Sequence, residues 1–314
     1  MVSNLQICDD PAILCEIFRT ADTSAFPDLD GHPLYGEFAR ALGAAINLNR
    51  QQHVLAHFAI IESNEPVLLV PATCDGNNVS MFQSPIQFAV RHDISNKRKK
   101  QVYGAAFQML GDIARAHKAS EIHILGGDNR RNLEGIDLVC INHGARPHLR
   151  IHAVIDLDHD EKNIRRHLRK SYRSLVNWGR DNIRTLYINI ENPDRQLFDQ
   201  YSNFHAKVGG KVHYGHAYWD VYWNEITAGR GELSLGYLND GHLAVGTLVI
   251  YAGEIAYYAS GVYDRNRLDK PLGHFPVFDS IIRANKRGLA MYDLGEIFPS
   301  GTVPEKEVQI GFFK

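Results

Sequence analysis

The most chemically suggestive pattern in the sequence is a run of basic side chains between residues 161 and 182. One face of this helical segment carries six cations and no acid: Lys162, Arg166, Arg169, Lys170, Arg173 and Arg180. Solvated helix faces usually mix charge signs, because like charges four residues apart repel by about 0.2–0.5 kcal/mol. The pattern is therefore typical of either a solvated surface or an anion-binding surface, with phosphate as the favoured anion. For the second alternative we expect Arg169, Lys170 and Arg173 to bind the substrate.

Weaker patterns involve aromatic and histidine side chains. Five aromatic residues crowd one short segment: Tyr214, Tyr218, Trp219, Tyr222 and Trp223. They indicate core packing or an aromatic wall for a sugar or peptide acceptor. Two histidine pairs, His53 with His57 and His213 with His216, lack a third ligand nearby in sequence, and the four cysteines show no CxxC spacing. We therefore expect no metal site.

Composition narrows the class of protein. The 314 residues suggest about two domains. Thirty-four basic against thirty-six acidic residues give a formal net charge of −2, which disfavours general attraction to nucleic acid or anionic membranes. No apolar run approaches the roughly 18 residues of a membrane span, and the first ten residues lack signal-peptide features. The sequence predicts a cytoplasmic protein and leaves its oligomeric state open.

The elements that would position these residues follow one order twice. The first half predicts strands at 53–62, 66–74 and 78–88, a helix at 96–118 and a strand at 121–127. The second half predicts strands at 231–238, 242–251 and 254–264, a helix at 274–287 and a strand at 289–297. Its first two strands are joined by Asn239-Asp240-Gly241, residues that tolerate the positive φ of a hairpin turn. We expect a mixed α/β (α+β) fold with an N-terminal half at 1–157, a linking basic amphipathic helix at 158–182 and a C-terminal half at 183–314.

Four runs of the sequence resemble a known family. The runs AVIDL and LRKSYRSLVNWGR (153–157, 168–180), followed by LSLGYLNDGHLAVGTLVIYAGEIAYYASGVYD and KPLGHFPVFDSIIRANKRGLAMYDLGE (233–264, 270–296), are similar to the Fem-type branch of the GNAT acyltransferase superfamily. The resemblance covers roughly residues 50–314. It implies tandem GNAT-like halves, each with a mixed, mostly antiparallel sheet flanked by helices. The family pattern usually continues past the equivalent of residues 311–314, so we expect an incomplete C-terminal end.

The resemblance also implies a donor site. An acyl-CoA co-substrate carries a pyrophosphate, which GNAT-like proteins bind at a helix N-terminus after a splayed strand. The corresponding loop here reads DRNRLDKPLG, where Arg265, Arg267 and Lys270 would supply charge and Gly273 would allow close backbone approach. The alternative for this loop is an ordinary basic surface. No metal is implied.

Amine acylation needs a base and a stabilised oxyanion. We expect His274, at the start of the helix, to be the base, with Glu296 as the second candidate. Tyr258 would protonate the leaving thiolate, and Tyr263 and Asp293 would contact the substrate, with Asp293 orienting a partner. Tyr258 and Tyr263 are an odd number of residues apart, so they face opposite sides of a regular strand unless a bulge intervenes.

Three functions remain open at this point. The first is an N-acyltransferase acting on an amine of a phosphate-bearing precursor, either an amino sugar or a cell-envelope intermediate, with a small-molecule or lipid-linked acceptor. The second is a tRNA-dependent aminoacyl transferase acting on a peptidoglycan-like precursor. The third is a catalytically inactive GNAT-like binding module.

Overall fold

The computed structural model describes residues 5–21, 25–26, 41–45, 53–82, 84–126, 135–210, 214–298 and 308. The chain divides into two compact units, residues 1–148 and 149–314. His213, Gly127 and residues 311–314, which entered the sequence predictions, lie outside the described residues. Within them, no helix is long and apolar enough to cross a membrane.

The N-terminal unit contains two four-stranded sheets and a long helix. Its strands are β1 (Gln6–Cys8), β2 (Val54–Leu55), β3 (Phe58–Glu62), β4 (Glu65–Val70), β5 (Thr73–Cys74), β6 (Asn78–Ser80), β7 (Ala89–Val90) and β8 (Glu121–Ile122). Its helices include α1 (Pro11–Thr20), α2 (Asn96–His117) and α3 (Gly135–Asn142). The sheet orders are β1-β3-β4-β7 and β2-β5-β6-β8. Helix α2, as predicted, places Val102, Ala106 and Leu110 in the core of this unit.

The predicted strands of the N-terminal unit are divided. The stretch 53–62 forms β2 and β3, and 66–74 forms β4 and β5, so each half of this hairpin contributes one strand to each of the two sheets. Pro71 lies at the second interruption, where a residue without an N–H cannot continue a ladder. The predicted strand at 78–88 is short because Phe82 adopts a positive φ of 50°.

The C-terminal unit is built on one six-stranded sheet. Its strands are β9 (Ile151–Asp156), β10 (Ile183–Ile188), β11 (Gly231–Leu238), β12 (Leu243–Ala252), β13 (Ile255–Tyr263) and β14 (Met291–Ile297). Its helices are α4 (Glu161–His167), α5 (Lys170–Asn182), α6 (Arg195–Gly209), α7 (His216–Thr227) and α8 (His274–Lys286). The sheet order is β10-β11-β12-β13-β14-β9, antiparallel except for β13 with β14. Strand β9, which ends before residue 157, pairs in this sheet and falls in the second unit.

Helices cover both faces of this sheet. On one face, Val249 and Tyr251 of β12 pack with Val277 and Phe278 of α8. On the other, Ile226 of α7 lies beside Ile250 and Gly231. The prediction of a mixed fold with mostly antiparallel sheets flanked by helices is confirmed.

The basic segment is two helices, which corrects the prediction of one helix over 161–182. Leu168 and Arg169 have extended backbone between α4 and α5, with ψ values of 142° and 140°. The Arg173 guanidinium donates to the backbone carbonyls of Leu168 and Arg166, at 3.3 and 2.5 Å. It therefore satisfies carbonyls that the end of α4 leaves without helical partners.

Candidate active site

The central feature of the C-terminal sheet is the short ladder between β13 and β14. These parallel strands pair at Ile255 with Met291, at Ala256 with Tyr292 and at Tyr257 with Asp293. Strand β13 then continues to Tyr263 and β14 to Ile297, with no further pairing between them in the described strands. The edge of β13 beyond Tyr257 thus offers backbone donors and acceptors that β14 does not use.

Two tyrosine hydroxyls meet on β13 because the strand carries a bulge. Leu248 of β12 pairs with Ser260 and Val249 with Tyr258, so Ala259 is an extra residue. The extra residue brings Tyr258 and Tyr263 to one side, with their hydroxyl oxygens 2.7 Å apart. The Tyr258 and Tyr263 side chains therefore do not face opposite sides, as they would on a regular strand.

The phenols of this pair are tightly enclosed. Burial raises the pKa of both Tyr258 and Tyr263, so both stay protonated at neutral pH. A Cβ atom at Gly261 would lie 1.6 Å from the Tyr258 hydroxyl oxygen. Position 261 must therefore be glycine if Tyr258 is to keep this orientation.

The loop between β13 and α8 is anchored at its first residue. Asp264 accepts a hydrogen bond from the backbone N–H of Asn266 at 3.0 Å, and its other oxygen lies 2.6 Å from Nε2 of His242. These contacts lower the pKa of Asp264, with the Asn266 N–H as the largest cause. The loop thus leaves the strand in a fixed direction through a short 3-10 turn, Arg265–Arg267.

The three cationic side chains of this loop differ in their ion-pair partners. Arg267 pairs with Asp240 of the β11–β12 turn at 3.0 Å, and Lys270 pairs with Asp269 at 3.0 Å. Arg265 is exposed and forms no ion pair among the described residues. Arg265 is consequently the loop cation best placed to meet an anion without giving up another contact.

The loop ends at the N-terminus of α8. Gly273 is buried there and, among the described residues, no side chain caps the helix start. The first N–H groups of a helix have no helical partners and carry partial positive charge, so this end can bind an anion. Lys270 lies three residues before Gly273, and His274 is the first residue of the helix.

His274 begins α8 with a half-buried ring. The ring lies edge-on to Tyr172 of α5, with centroids 4.8 Å apart. Burial lowers the pKa of His274, and a backbone hydrogen bond with Pro271 partly opposes this. Burial, the larger of the two causes, therefore favours a neutral imidazole at this position.

The two carboxylates of β14 have separate partners. Asp293 Oδ2 lies 2.8 Å from Nδ1 of His152 on β9, and its Oδ1 accepts the Gly295 N–H at 2.6 Å. Glu296 accepts two hydrogen bonds from Arg150, at 2.6 and 3.2 Å. Asp293 was expected to orient a partner, and in the structure that partner is His152. His152 was not among the predicted site residues. No short-range signal marks His152, since its partner lies 141 residues away.

The candidate phosphate-binding residues on α5 are not equivalent. Arg173 is engaged by the carbonyls at the end of α4, and Arg169 stacks over Tyr172 at 5.5 Å. Lys170 is exposed at the first position of α5 and has no ion pair among the described residues. Of the three, Lys170 is therefore the most available to an external anion.

Comparison with known proteins identifies the fold. No protein-family model matches the sequence, and no curated protein matches it. A crystal structure of FemX is 13% identical, with a TM-score of 0.62 over 98% of this chain and 92% of that chain. The structure of L-PGS from Bacillus licheniformis is 12% identical, with a TM-score of 0.53 over 97% and 82%. A tandem GNAT protein from the clavulanic acid biosynthesis pathway is 12% identical, with a TM-score of 0.52 over 99% and 94%. The chain has the Fem-type, tandem GNAT-like acyltransferase fold.

Proposed function

We propose that this chain is an N-acyltransferase that moves an acyl group from an acyl-CoA to an amine of a phosphate-bearing precursor. The acceptor class is an amino sugar or a cell-envelope intermediate, either small or lipid-linked. The observation that carries the proposal is the end of the β13–β14 ladder beside a helix start that no described side chain caps. Both are needed for a thioester to lie between two strands while its pyrophosphate meets a helix N-terminus.

The donor half of the site lies in the loop and at the start of α8. The backbone N–H groups that precede Pro276 in the first turn of α8 would bind the pyrophosphate, with Arg265 and Lys270 adding charge. Gly273 lets the phosphate oxygens approach the backbone. We propose a donor-side role for His274 as well, because its neutral ring packs on Tyr172 at this helix end.

The chemical step needs charge stabilisation at two atoms. Backbone N–H groups on the unpaired edge of β13 would stabilise the oxyanion of the tetrahedral intermediate. The Tyr258 hydroxyl, kept protonated by burial, would donate to the leaving sulfur, with Tyr263 holding it in place. An amine of the lysine type has a pKa near ~10, so a base must also act on the acceptor.

The aminoacyl-tRNA alternative rests on a specific surface. Lys162, Arg166 and Lys170 are exposed around the α4–α5 break, and the break separates them onto two helices. Phosphates of a tRNA acceptor end or of a small precursor would both suit such a surface. We propose the small precursor because the loop and the start of α8 supply a separate site for a nucleotide-linked donor.

The proposal is tested by donor binding. Isothermal titration with acetyl-CoA should show saturable binding that weakens with added salt. Arg265→Ala should weaken acetyl-CoA binding about 3- to 10-fold, the effect of one exposed charge-assisted contact. Arg230→Ala is the matched control, because it removes an arginine paired with Glu225 at the far end of β11. It should leave the affinity unchanged.

Two results would contradict the proposal. One is a lack of acetyl-CoA binding at millimolar concentration. The other is acetyl-CoA binding without release of free CoA when amino sugars, with and without phosphate, are supplied; this result would indicate the inactive binding module. Stabilisation by aminoacyl-tRNA, with none by acetyl-CoA, would favour the aminoacyl-transferase alternative.

A further inference from the structure

We infer that His152, oriented by Asp293, is the general base that accepts a proton from the acceptor amine. This inference rests on the proposed N-acyl transfer and assigns its missing base. The pair is well enclosed: the Asp293 side chain is 4% exposed and that of His152 17%. Their contact joins two adjacent strands, β9 and β14, so both groups are held by the sheet rather than by loops.

The pair stands where the two central strands part. Asp293 forms the last rung of the β13–β14 ladder, directly opposite Tyr257. One residue further along, β14 no longer pairs with β13 in the described strands. A thioester lying in the opening after this rung would thus pass within reach of the residues attached to it.

The pair also lies on the side of the sheet opposite α8. Tyr292 and Leu294 pack in the core beneath α8, so Asp293 between them points to the other face. On β9, Ala153 and Ile155 pack in the same core, so His152 alternates to the face of Asp293. The donor would therefore be held on the α8 side, and the amine would approach from the other side.

Aromatic side chains also pack on the acceptor side of the sheet. Tyr257 shares the face of Asp293 and interacts electrostatically with Tyr218 and Tyr222 of α7. The aromatic residues of this segment thus lie on the same face as His152. Tyr218 and Tyr222 are buried and pack as core, whereas Tyr257 is partly exposed and would contact the apolar face of an amino-sugar acceptor.

The hydrogen bonds of Asp293 decide which nitrogen of His152 is basic. Oδ1 of Asp293 is occupied by the Gly295 N–H, which leaves Oδ2 to face Nδ1 of His152. A carboxylate can only accept, so Nδ1 donates and carries the proton. In the neutral ring the lone pair then lies on Nε2, which is the atom that a base needs.

In the proposed step, an amide bond forms and the thioester bond breaks. The amine lone pair forms the new C–N bond at the thioester carbonyl, and the proton lost by the nitrogen goes to Nε2 of His152. The C–S bond then breaks with its electron pair on sulfur, and the thiolate takes up the proton of the Tyr258 hydroxyl, which solvent replaces, to give an amide and free CoA. His152 returns its proton to solvent, and no other reactant is consumed.

The other candidate bases are less suitable. Glu296 accepts two N–H groups of Arg150 on its Oε2, so this carboxylate is already engaged in an ion pair. His274 belongs to α8, on the donor side of the sheet. The pair of His242 with Asp264 anchors the start of the donor loop rather than the opening between the strands.

The first test uses two variants in a steady-state assay with acetyl-CoA and glucosamine 6-phosphate. His152→Gln should lower kcat about 10²- to 10⁴-fold, the usual contribution of a general base, with the KM for acetyl-CoA changed less than about threefold. In Asp293→Asn the amide oxygen stays on the Gly295 N–H, so the NH2 group faces Nδ1 and forces the proton onto Nε2. This isosteric variant should therefore lose kcat in the same way while keeping its fold.

Chemical rescue separates catalysis from structure. His152→Ala should regain turnover when free imidazole is added, because imidazole can enter the space left by the ring; a purely structural loss would not respond. His123→Gln is the control, since His123 forms a pair with Glu121 at 2.9 Å on the exposed surface of the N-terminal unit. It should keep wild-type kcat.

The outcomes distinguish the two proposals. If the wild type binds acetyl-CoA and acetylates the amine but His152→Gln retains kcat within about threefold, the assignment of the base is wrong and the proposed function stands. If the wild type neither binds nor uses acetyl-CoA, both proposals fail. A ¹⁵N NMR spectrum of the wild type that shows neutral His152 protonated on Nε2 would overturn the assignment without any assay of activity.

Discussion

Replacing Arg173 with alanine separates a structural role from the phosphate-binding role that the sequence suggests. The guanidinium donates to two carbonyls at the end of α4, at 3.3 and 2.5 Å. Hydrogen bonds to charged groups contribute about 1.5–3 kcal/mol each when buried, but this side chain is partly exposed. We therefore expect Arg173→Ala to lower the free energy of unfolding by about 1–2 kcal/mol in total. For a unit of this size, Tm should fall by about 2–8 °C.

Urea and thermal unfolding, followed by circular dichroism, measure this effect. Arg166→Ala is the matched control, because it removes an exposed charge from the same helix end without removing the carbonyl that Arg173 binds. It should change the free energy of unfolding by less than about 0.5 kcal/mol. If Arg173→Ala is as stable as the wild type yet binds the acceptor more weakly, the interpretation of Arg173 as a helix-end contact is wrong.

Two further outcomes follow from the C-terminal unit. Gly261→Ala places a Cβ 1.6 Å from the Tyr258 hydroxyl oxygen, so we expect overpacking to lower the free energy of unfolding by about 1–3 kcal/mol; an unchanged urea midpoint would contradict this. The pKa of Asp264 is lowered mainly by the backbone N–H two residues further along, so its stabilisation is complete above its unfolded pKa, ~3.9, and is lost as the pH falls through the lower folded pKa. Asp264→Asn removes this titrating carboxyl, so between pH 6 and pH 2 its Tm should fall less than that of the wild type. Identical Tm–pH curves for the two proteins over this range would argue against the assignment.

Local signals in the sequence were sufficient for β11, β12, β13, α8 and β14, whereas β10 and α6 were not predicted. The turn at residues 239–241 joins β11 to β12, with Gly241 at a positive φ of 78°. The predicted helix at 274–287 is α8, Gly273 precedes it, and the loop from β13 contains the predicted cations. These features depend on residues close together in the chain, where propensity and turn chemistry act directly.

The same local reasoning failed at one helix break and at one strand bulge. An amphipathic pattern continues through Leu168 and Arg169, yet the helix breaks there while the Arg173 side chain binds the carbonyls beside the break. The bulge at Ala259 has no motif of its own. It is seen only in the register of β12 against β13, and it decides that Tyr258 and Tyr263 meet.

The sequence by itself therefore determined the order of the elements from β11 to β14, the hairpin turn and the cationic loop that leads into α8. Only the tertiary structure decided that β14 pairs with β9, that Asp293 meets His152, and that the ladder between the central strands ends at that rung. The physical reason is one of range. Turns and helix ends are stabilised by neighbours a few residues away, whereas the partner of a buried carboxylate depends on which strand lies beside it, and here that strand lies 141 residues earlier in the chain.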